Sequence, residues 1–425
     1  MSTQTPLSER IAAAIPRGVS VPIPILAQRA SGAEIWDADG RRYIDFGGGI
    51  AVVNVGHRHP HVIAAVQAQI DAFTHTCFGV TPYESYIRLA ERMNQLAPIA
   101  APLKTIFLTT GAEAVENAVK IARHATGRSA IISFTGGFHG RTLMALALTG
   151  KVNPYKAGFG PFPADTFHVP FPDAYRGGST EKSLVAIEAL FKSSVEPSRV
   201  AAIIIEPVQG EGGFNVAPFE FLRELRALCH RHGIVFIADE IQTGFGRTGR
   251  MFAVEHAGVE PDLITIAKSL AGGFPLSGVI GRAAIMDSVA PGGLGGTFAG
   301  SPVSCAAALA VLDVFRDEHV LVRAEKQGAL VRARLDAMRE QFPIIGDVRG
   351  LGAMLAIELV RDRASKEPAP ELASRLALRA SERGLILLTA GIYGNVIRIL
   401  APLTASPELM DEGMTILERS LGDLR

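Results

Sequence analysis

Apolar residues follow different rhythms along the chain. Residues 34–46, EIWDADGRRYIDF, carry two short alternating runs on either side of Asp39-Gly40. This pattern predicts a β-hairpin whose two central turn residues both take positive φ. From about 60 to 310, compact apolar runs (TIFLTT, AIISF, VAAIIIEP, IVFIADE, LITIAK and GVIGR) alternate with longer segments of helical period. Strands buried on both faces and separated by helices predict an α/β domain with a mostly parallel sheet flanked by helices. Past about 310 a helical stretch leads into DVRGLGAMLAIELV, then a helix, GLILLTAG, NVIRILAP and SPELMDEGMTILERSL. The last segment reads as a helix with Ser406 as N-cap, Pro407 at its first position and Glu408 in its first turn. This order predicts a smaller α+β domain shared with the N-terminal hairpin. The expected division is 1–58 as the N-terminal part of the small domain, 59–310 as the large α/β domain, and 311–425 as the rest of the small one.

At 425 residues the chain exceeds what one hydrophobic core supports, and its 48% apolar content excludes a disordered reading. Lys plus Arg equals Asp plus Glu at 42 each. A net charge of zero argues against a nucleic-acid or anionic-membrane partner, so a charged substrate must be met by local charges in a site. Cys77, Cys229 and Cys305 are scattered without CxxC spacing, which fits a reducing compartment and neither a disulfide framework nor a zinc site. The opening STQTPLSERIAAAIPRG lacks the pattern of a secretory signal, and no apolar run approaches the roughly 20 residues that span a bilayer. The expectation is a soluble, cytoplasmic protein.

The stretch 235–278 carries the most chemistry. Asp239 and Glu240 end one apolar run and Lys268 follows the next, LITIA. Both therefore reach the carboxyl edge of the predicted sheet, where open α/β sheets bind ligands. A lysine flanked by Ala, Ser and Gly-Gly is poorly hydrated, and a partly desolvated amine is the nucleophile of Schiff-base chemistry. A strand-end carboxylate beside it suits pyridoxal phosphate, whose ring nitrogen must stay protonated. Gly244, Gly246 and Gly249 spell GxGxxG, but they follow the strand end at a distance and no helical pattern opens there, so a dinucleotide site is not expected. In TTGAEAVENAVKIAR, Gly111 and Ala112 begin a helix and offer backbone N–H groups to a phosphate. GGFHGRT supplies an aromatic face in Phe138 and a cation in Arg141.

These motifs together identify a resemblance. FGGGIAVVNVGH, TTGAEAVENAVKIAR, GGFHGRT with ALTGKVNPYK, IIIEPVQGEGG, the Asp239–Lys268 block, GGTFAGSP and VRGLGAMLAIEL resemble the class-III (ornithine/ω-amino acid) pyridoxal-phosphate aminotransferases over nearly the whole chain. Within that family the chain is most similar to the branch acting on 4-aminobutyrate. The resemblance implies a fold-type-I PLP transferase and an amino transfer from 4-aminobutyrate to 2-oxoglutarate. It implies that Lys268 forms the Schiff base, Asp239 pairs with the pyridinium nitrogen and Gln242 approaches the phenolic oxygen. Gly111 and Ala112 would cradle the phosphate, and Phe138 would stack on the ring. Thr297 would reach a phosphate in the neighbouring subunit of a homodimer or homotetramer with shared sites. Substrate contacts would come from Ile50, Arg141, Glu211 and Arg398. Some members carry Tyr at the position of Phe138 and Val at that of Ile241, changes that keep the stacking or apolar character.

Specificity then poses a physical problem. 4-Aminobutyrate has one carboxylate, far from its amine, whereas glutamate has another beside the amine. Arg141 suits the permanent carboxylate and Arg398 the conditional one, with Glu211 neutralising Arg398 when the α-carboxylate is missing. Ile50, after three glycines, would give an apolar wall suited to a methylene chain. The alternatives are a sister enzyme for ornithine, acetylornithine or 5-aminovalerate, an aminomutase or decarboxylase on the same cofactor, and a binding protein that kept the fold.

Overall fold

The computed structural model describes residues 7–424, so the first few residues of the N-terminal string lie outside the described region. A hairpin of β1 (Ala27–Ser31), β2 (Glu34–Asp37) and β3 (Arg42–Asp45) opens the strand order. Its β2–β3 turn corrects the sequence expectation. Asp37 N–H bonds Arg41 C=O, leaving a three-residue loop, and Gly40 alone of the Asp39-Gly40 pair takes positive φ, at 81°. The cause is Asp37, whose carboxylate accepts from the N–H of Asp39 at 3.0 Å and of Arg41 at 2.9 Å. That side-chain cap favours the three-residue loop over a two-residue turn.

Seven strands build the central sheet: β4 (Leu103–Leu108), β5 (Ala130–Phe134), β6 (Thr166–Val169), β7 (Val200–Ile205), β8 (Val235–Asp239), β9 (Leu263–Ile266) and β10 (Ser277–Arg282). They run in the order β4-β10-β9-β8-β7-β5-β6. Only β10 is antiparallel to its neighbours, β4 and β9. β7 and β8 are buried at every position, as strands covered by helices on both faces must be. One layer packs Phe221, Leu225 and Leu228 of helix Phe219–His232 against Ile203 and Phe236. The other packs Val115, Ala118 and Ile121 of helix Gly111–Thr126 against Ile204 and Ile237.

A second four-stranded sheet contains β11 (Ile345–Leu351), β12 (Met354–Leu359), β14 (Leu388–Ala390) and β15 (Val396–Ile399) in the order β11-β12-β15-β14. The two-residue β13 (Leu385–Ile386) leaves it and pairs in parallel with β3, joining the N-terminal hairpin to the C-terminal region. Ile44 and Phe46 of that hairpin share a core with Leu355, Ile357, Leu376 and Leu417. The final helix, Pro407–Gly422, begins as the sequence predicts, with Ser406 Oγ accepting from Leu409 N–H at 3.3 Å. The GxGxxG stretch lies in turns followed by the 3₁₀ segment Ala253–Ala257, and no α-helix opens there.

Candidate active site

The carboxyl ends of the parallel strands meet around a cavity of about 450 Å³. Asp239 ends β8, Lys268 follows β9 by one residue, and the β8–β9 register places Asp239 opposite Thr265. Helix Gly111–Thr126 starts just beyond β4, and the GGFHGRT loop just beyond β5. Gly111, Ala112, Phe138, Arg141, Asp239, Gln242 and Lys268 all line the cavity.

Local chemistry explains how each is held. Thr110 and Glu113 form a reciprocal cap at the start of helix Gly111–Thr126. The amides of Gly111 and Ala112 stand in that helix's first turn, where no intrahelical carbonyl can accept from them. A Cβ on Gly111 would press within 3.1 Å of Ile241 Cδ1, so the residue allows close approach at the cavity floor. Gln242 is buried, its side-chain amide makes no hydrogen bond among the described residues, and its Oε1 is unpartnered.

Asp239 is buried and nearly saturated. Its Oδ2 lies 2.7 Å from His139 Nδ1, and its Oδ1 accepts from Thr265 Oγ1 at 2.9 Å and Ile241 N–H at 3.2 Å. Burial disfavours the His139 imidazolium, but Asp239 and then Glu206 outweigh it and raise the histidine's pKa. Glu206, also on the cavity wall, accepts from the N–H of Phe138 at 2.8 Å and of Gly210 at 2.9 Å. Burial pushes its carboxyl up to about 7 despite the nearby His139.

Lys268 has a left-handed backbone, φ 50°, which costs energy in a residue with a Cβ and marks a position held by its surroundings. Its amine forms no hydrogen bond or ion pair with the described residues. Burial lowers its pKa, more than Glu211, Glu206 and Asp239 together raise it, and Arg398 adds to the lowering.

Glu211 and Arg398 stand off the cavity wall and pair with each other. Arg398 Nη1 lies 2.5 Å from Glu211 Oε1, and Arg398 is only 3% exposed. Tyr155 donates its hydroxyl to the other oxygen, Oε2, at 3.2 Å. Burial alone would raise the Glu211 pKa, but Arg398 reverses it and holds the carboxyl low.

Two expected residues lie elsewhere in this chain. Ile50 has φ 67° and is 44% exposed, and Val52 rather than Ile50 lines the cavity. Thr297 is exposed in the 292–300 loop beside a different hollow, with Tyr86 and Phe107. Three neighbours escaped the sequence reading: His139, Glu206 and Tyr155. Each lies within a motif that carries the resemblance, and Glu206, directly after β7, repeats the signal of a carboxylate at a strand end that singled out Asp239.

The Aminotransferase class-III family profile matches residues 15–421. The chain is 53% identical to the 5-aminovalerate aminotransferase of Pseudomonas putida over 422 residues, 99% of each chain. It is 52% identical to the 4-aminobutyrate aminotransferase of Escherichia coli over the full length of both. An amine transaminase from an uncultivated Pseudomonas species, solved in its PLP-bound form, superimposes with a TM-score of 0.89 at 32% identity, covering 97% of each chain. Sequence and fold agree: the chain belongs to the class-III aminotransferase family and is a transaminase.

Proposed function

We propose that this transaminase moves the amino group of 4-aminobutyrate to 2-oxoglutarate, giving succinate semialdehyde and glutamate, with pyridoxal phosphate as cofactor. The observation that carries the reading is the Glu211–Arg398 pair beside the lysine. A dry cation that can be neutralised from within suits an enzyme that must accept one carboxylate in one half-reaction and two in the other. 5-Aminovalerate, one methylene longer with the same two end groups, is the second donor expected. The 53% identity to an enzyme named for it supports that reading.

The cavity suits the cofactor on its own chemistry. An unpartnered buried amide at Gln242, a free amine at Lys268 and open first-turn amides at Gly111 and Ala112 all call for a ligand with matching groups. Lys268 would hold the cofactor's aldehyde carbon, Asp239 its ring nitrogen, Gln242 its phenolic oxygen and Phe138 its ring face. Gly111 and Ala112 would hold its phosphate. When bound, the group supplies an electron sink for the carbon that loses its proton.

The chain's own residues do the rest. Lys268, whose pKa burial lowers, would take the proton from the substrate carbon as general base and deliver it as general acid to the carbon that carried the cofactor's aldehyde. Asp239 stays in place because His139, Thr265 and the Ile241 amide leave it little freedom to turn. Arg141 at the cavity wall receives the distal carboxylate, and Arg398 receives the α-carboxylate when there is one. Ile50, exposed and off the cavity wall in this chain, would meet the substrate's methylene chain only if it turned inward or in the assembled oligomer.

Thr297 serves a second copy of the chain in this reading, in a homodimer or homotetramer. Its exposure on a glycine-rich loop, next to Phe298 at 65% exposed, supports that role. The segments 7–58 and 311–424 form one small domain against a large domain of 59–310, as the shared sheet and core of the hairpin support. Cys77, Cys229 and Cys305 are unpaired, which supports a reducing, cytoplasmic setting. Among the described residues no helix is long and apolar enough to cross a membrane.

Purified protein supplied with PLP, 4-aminobutyrate and 2-oxoglutarate should form succinate semialdehyde and glutamate in equal amounts. Turnover with ornithine or acetylornithine far above that with 4-aminobutyrate and 5-aminovalerate would overturn the reading.

A further inference from the structure

Tyr155 stands between the two cations that would receive substrate carboxylates. Its hydroxyl donates to Glu211 Oε2 at 3.2 Å. Its ring lies 5.1 Å from Arg141 Cζ and 4.9 Å from the Phe138 ring centroid. Nothing in the motif reading gave it a role.

The need for it follows from the chemistry of Glu211. The carboxylate has two side-chain donors, Arg398 on Oε1 and Tyr155 on Oε2. A dicarboxylate substrate that occupies Arg398 removes the first. A largely buried carboxylate left without partners then carries a desolvation cost that opposes the substrate. Of the other cations nearby, Lys151 is engaged with Gly391 C=O at 2.7 Å, and Lys268 acts on Glu211 only through space, without a hydrogen bond or ion pair. The Tyr155 hydroxyl is neutral, so the incoming carboxylate does not compete for it as it competes for Arg398. Burial, and then Glu211, raise its pKa to about 12, so it remains a donor through the neutral range.

We propose that Tyr155 is a positioning residue that retains Glu211 when a substrate carboxylate takes Arg398, and thereby sets the balance between one- and two-carboxylate substrates. This rests on the Glu211–Arg398 switch proposed above. The same ring offers its face to Arg141, so one side chain steadies both carboxylate receptors.

Two substitutions separate the hydroxyl from the ring. Tyr155→Phe keeps the face toward Arg141 and loses the donor. It should raise KM for glutamate and 2-oxoglutarate about tenfold, the effect of losing one hydrogen bond to a charged group, and slow the 4-aminobutyrate half-reaction by less than about threefold. Calorimetric titration with non-reacting glutarate and butyrate should show the same bias, glutarate weakening about tenfold and butyrate little. Tyr155→Leu should also weaken butyrate, because Arg141 loses its aromatic neighbour. Equal changes for both ligand classes in Tyr155→Phe, or unchanged glutarate binding, would overturn the proposal. If Glu211→Ala and Arg398→Ala show no substrate bias, the switch and this role fall together. If they show it and Tyr155→Phe does not, only the role of Tyr155 falls.

Discussion

Glu211 and Arg398, 187 residues apart in sequence, meet at 2.5 Å with the arginine almost wholly buried. Removing one member of a desolvated pair costs about 3–5 kcal/mol, because the other charge is stranded. In the proposed reaction with 4-aminobutyrate, Arg398 would face no substrate carboxylate and would depend on Glu211. Glu211→Ala should therefore slow that half-reaction by up to roughly a hundredfold or more, and the glutamate half-reaction far less. Arg398→Ala should reverse the bias. Single-turnover absorbance measurements on each half-reaction decide it, and equal losses for both donors would reduce the pair to a structural role.

Lys268→Met should abolish turnover and at the same time stabilise the cofactor-free protein. Burial lowers the folded-state pKa of Lys268 below its ordinary 10.5. The protonated amine therefore costs folding stability in full at pH below that lowered pKa, and the cost disappears as pH rises past the unfolded value. The variant's apoprotein should melt above wild type at about pH 7, with a gap that narrows toward about pH 10. A variant that melts no higher at neutral pH would place the lysine in a wetter setting than its surroundings suggest.

Asp239→Asn keeps the shape but removes the charge proposed to face the ring nitrogen. Its rate should fall roughly a hundredfold or more, ~2.7 kcal/mol of transition-state stabilisation. The substitution also deprives His139 of its anion, so the histidine's proton should be lost at lower pH than in wild type. An imidazole resonance followed by NMR titration reads that second effect without reference to activity.

Thr297→Ala should weaken PLP retention, and mixing subunits tests which chain it serves. In hybrids of Lys268→Ala with Thr297→Ala, one site regains both Lys268 and a partner threonine. Such hybrids should recover tight cofactor binding and activity at half their sites if Thr297 acts across the interface. Recovery of neither would return Thr297 to its own chain's surface.

Much of this architecture is legible along the chain because burial on both faces leaves uninterrupted apolar runs. β5, β7, β8, β9 and β10 each coincide with one such run, while the edge strand β4, LKTIFL, is buried only at its last two positions. β6, TFHV, is a four-residue edge strand set among prolines, too short and too polar to stand out. The pairing of β13 with β3 rests on two residues, Leu385 and Ile386, whose partners Ile44 and Asp45 lie far away in sequence. In the site, Asp239 and Lys268 announce themselves as charges at the ends of apolar runs. His139 does not, because its meaning depends on an aspartate 100 residues away. The hairpin turn shows the opposite failure. The local signal at Asp39-Gly40 is strong, and one carboxylate two residues earlier changes the loop that forms.

The backbone around the switch is pinned independently of its charges. Gly391 N–H bonds Glu211 C=O at 3.0 Å, and Gly391 C=O accepts from Lys151 Nζ at 2.7 Å. When Arg398 is taken by a substrate, these ties still fasten the QGEGG loop to the turn between β14 and β15. In the proposed switch, changing from one substrate to the other would then need only side-chain rotation within a fixed frame. On that reading the enzyme would alternate between its two partners on every cycle without opening the seam between its sheets.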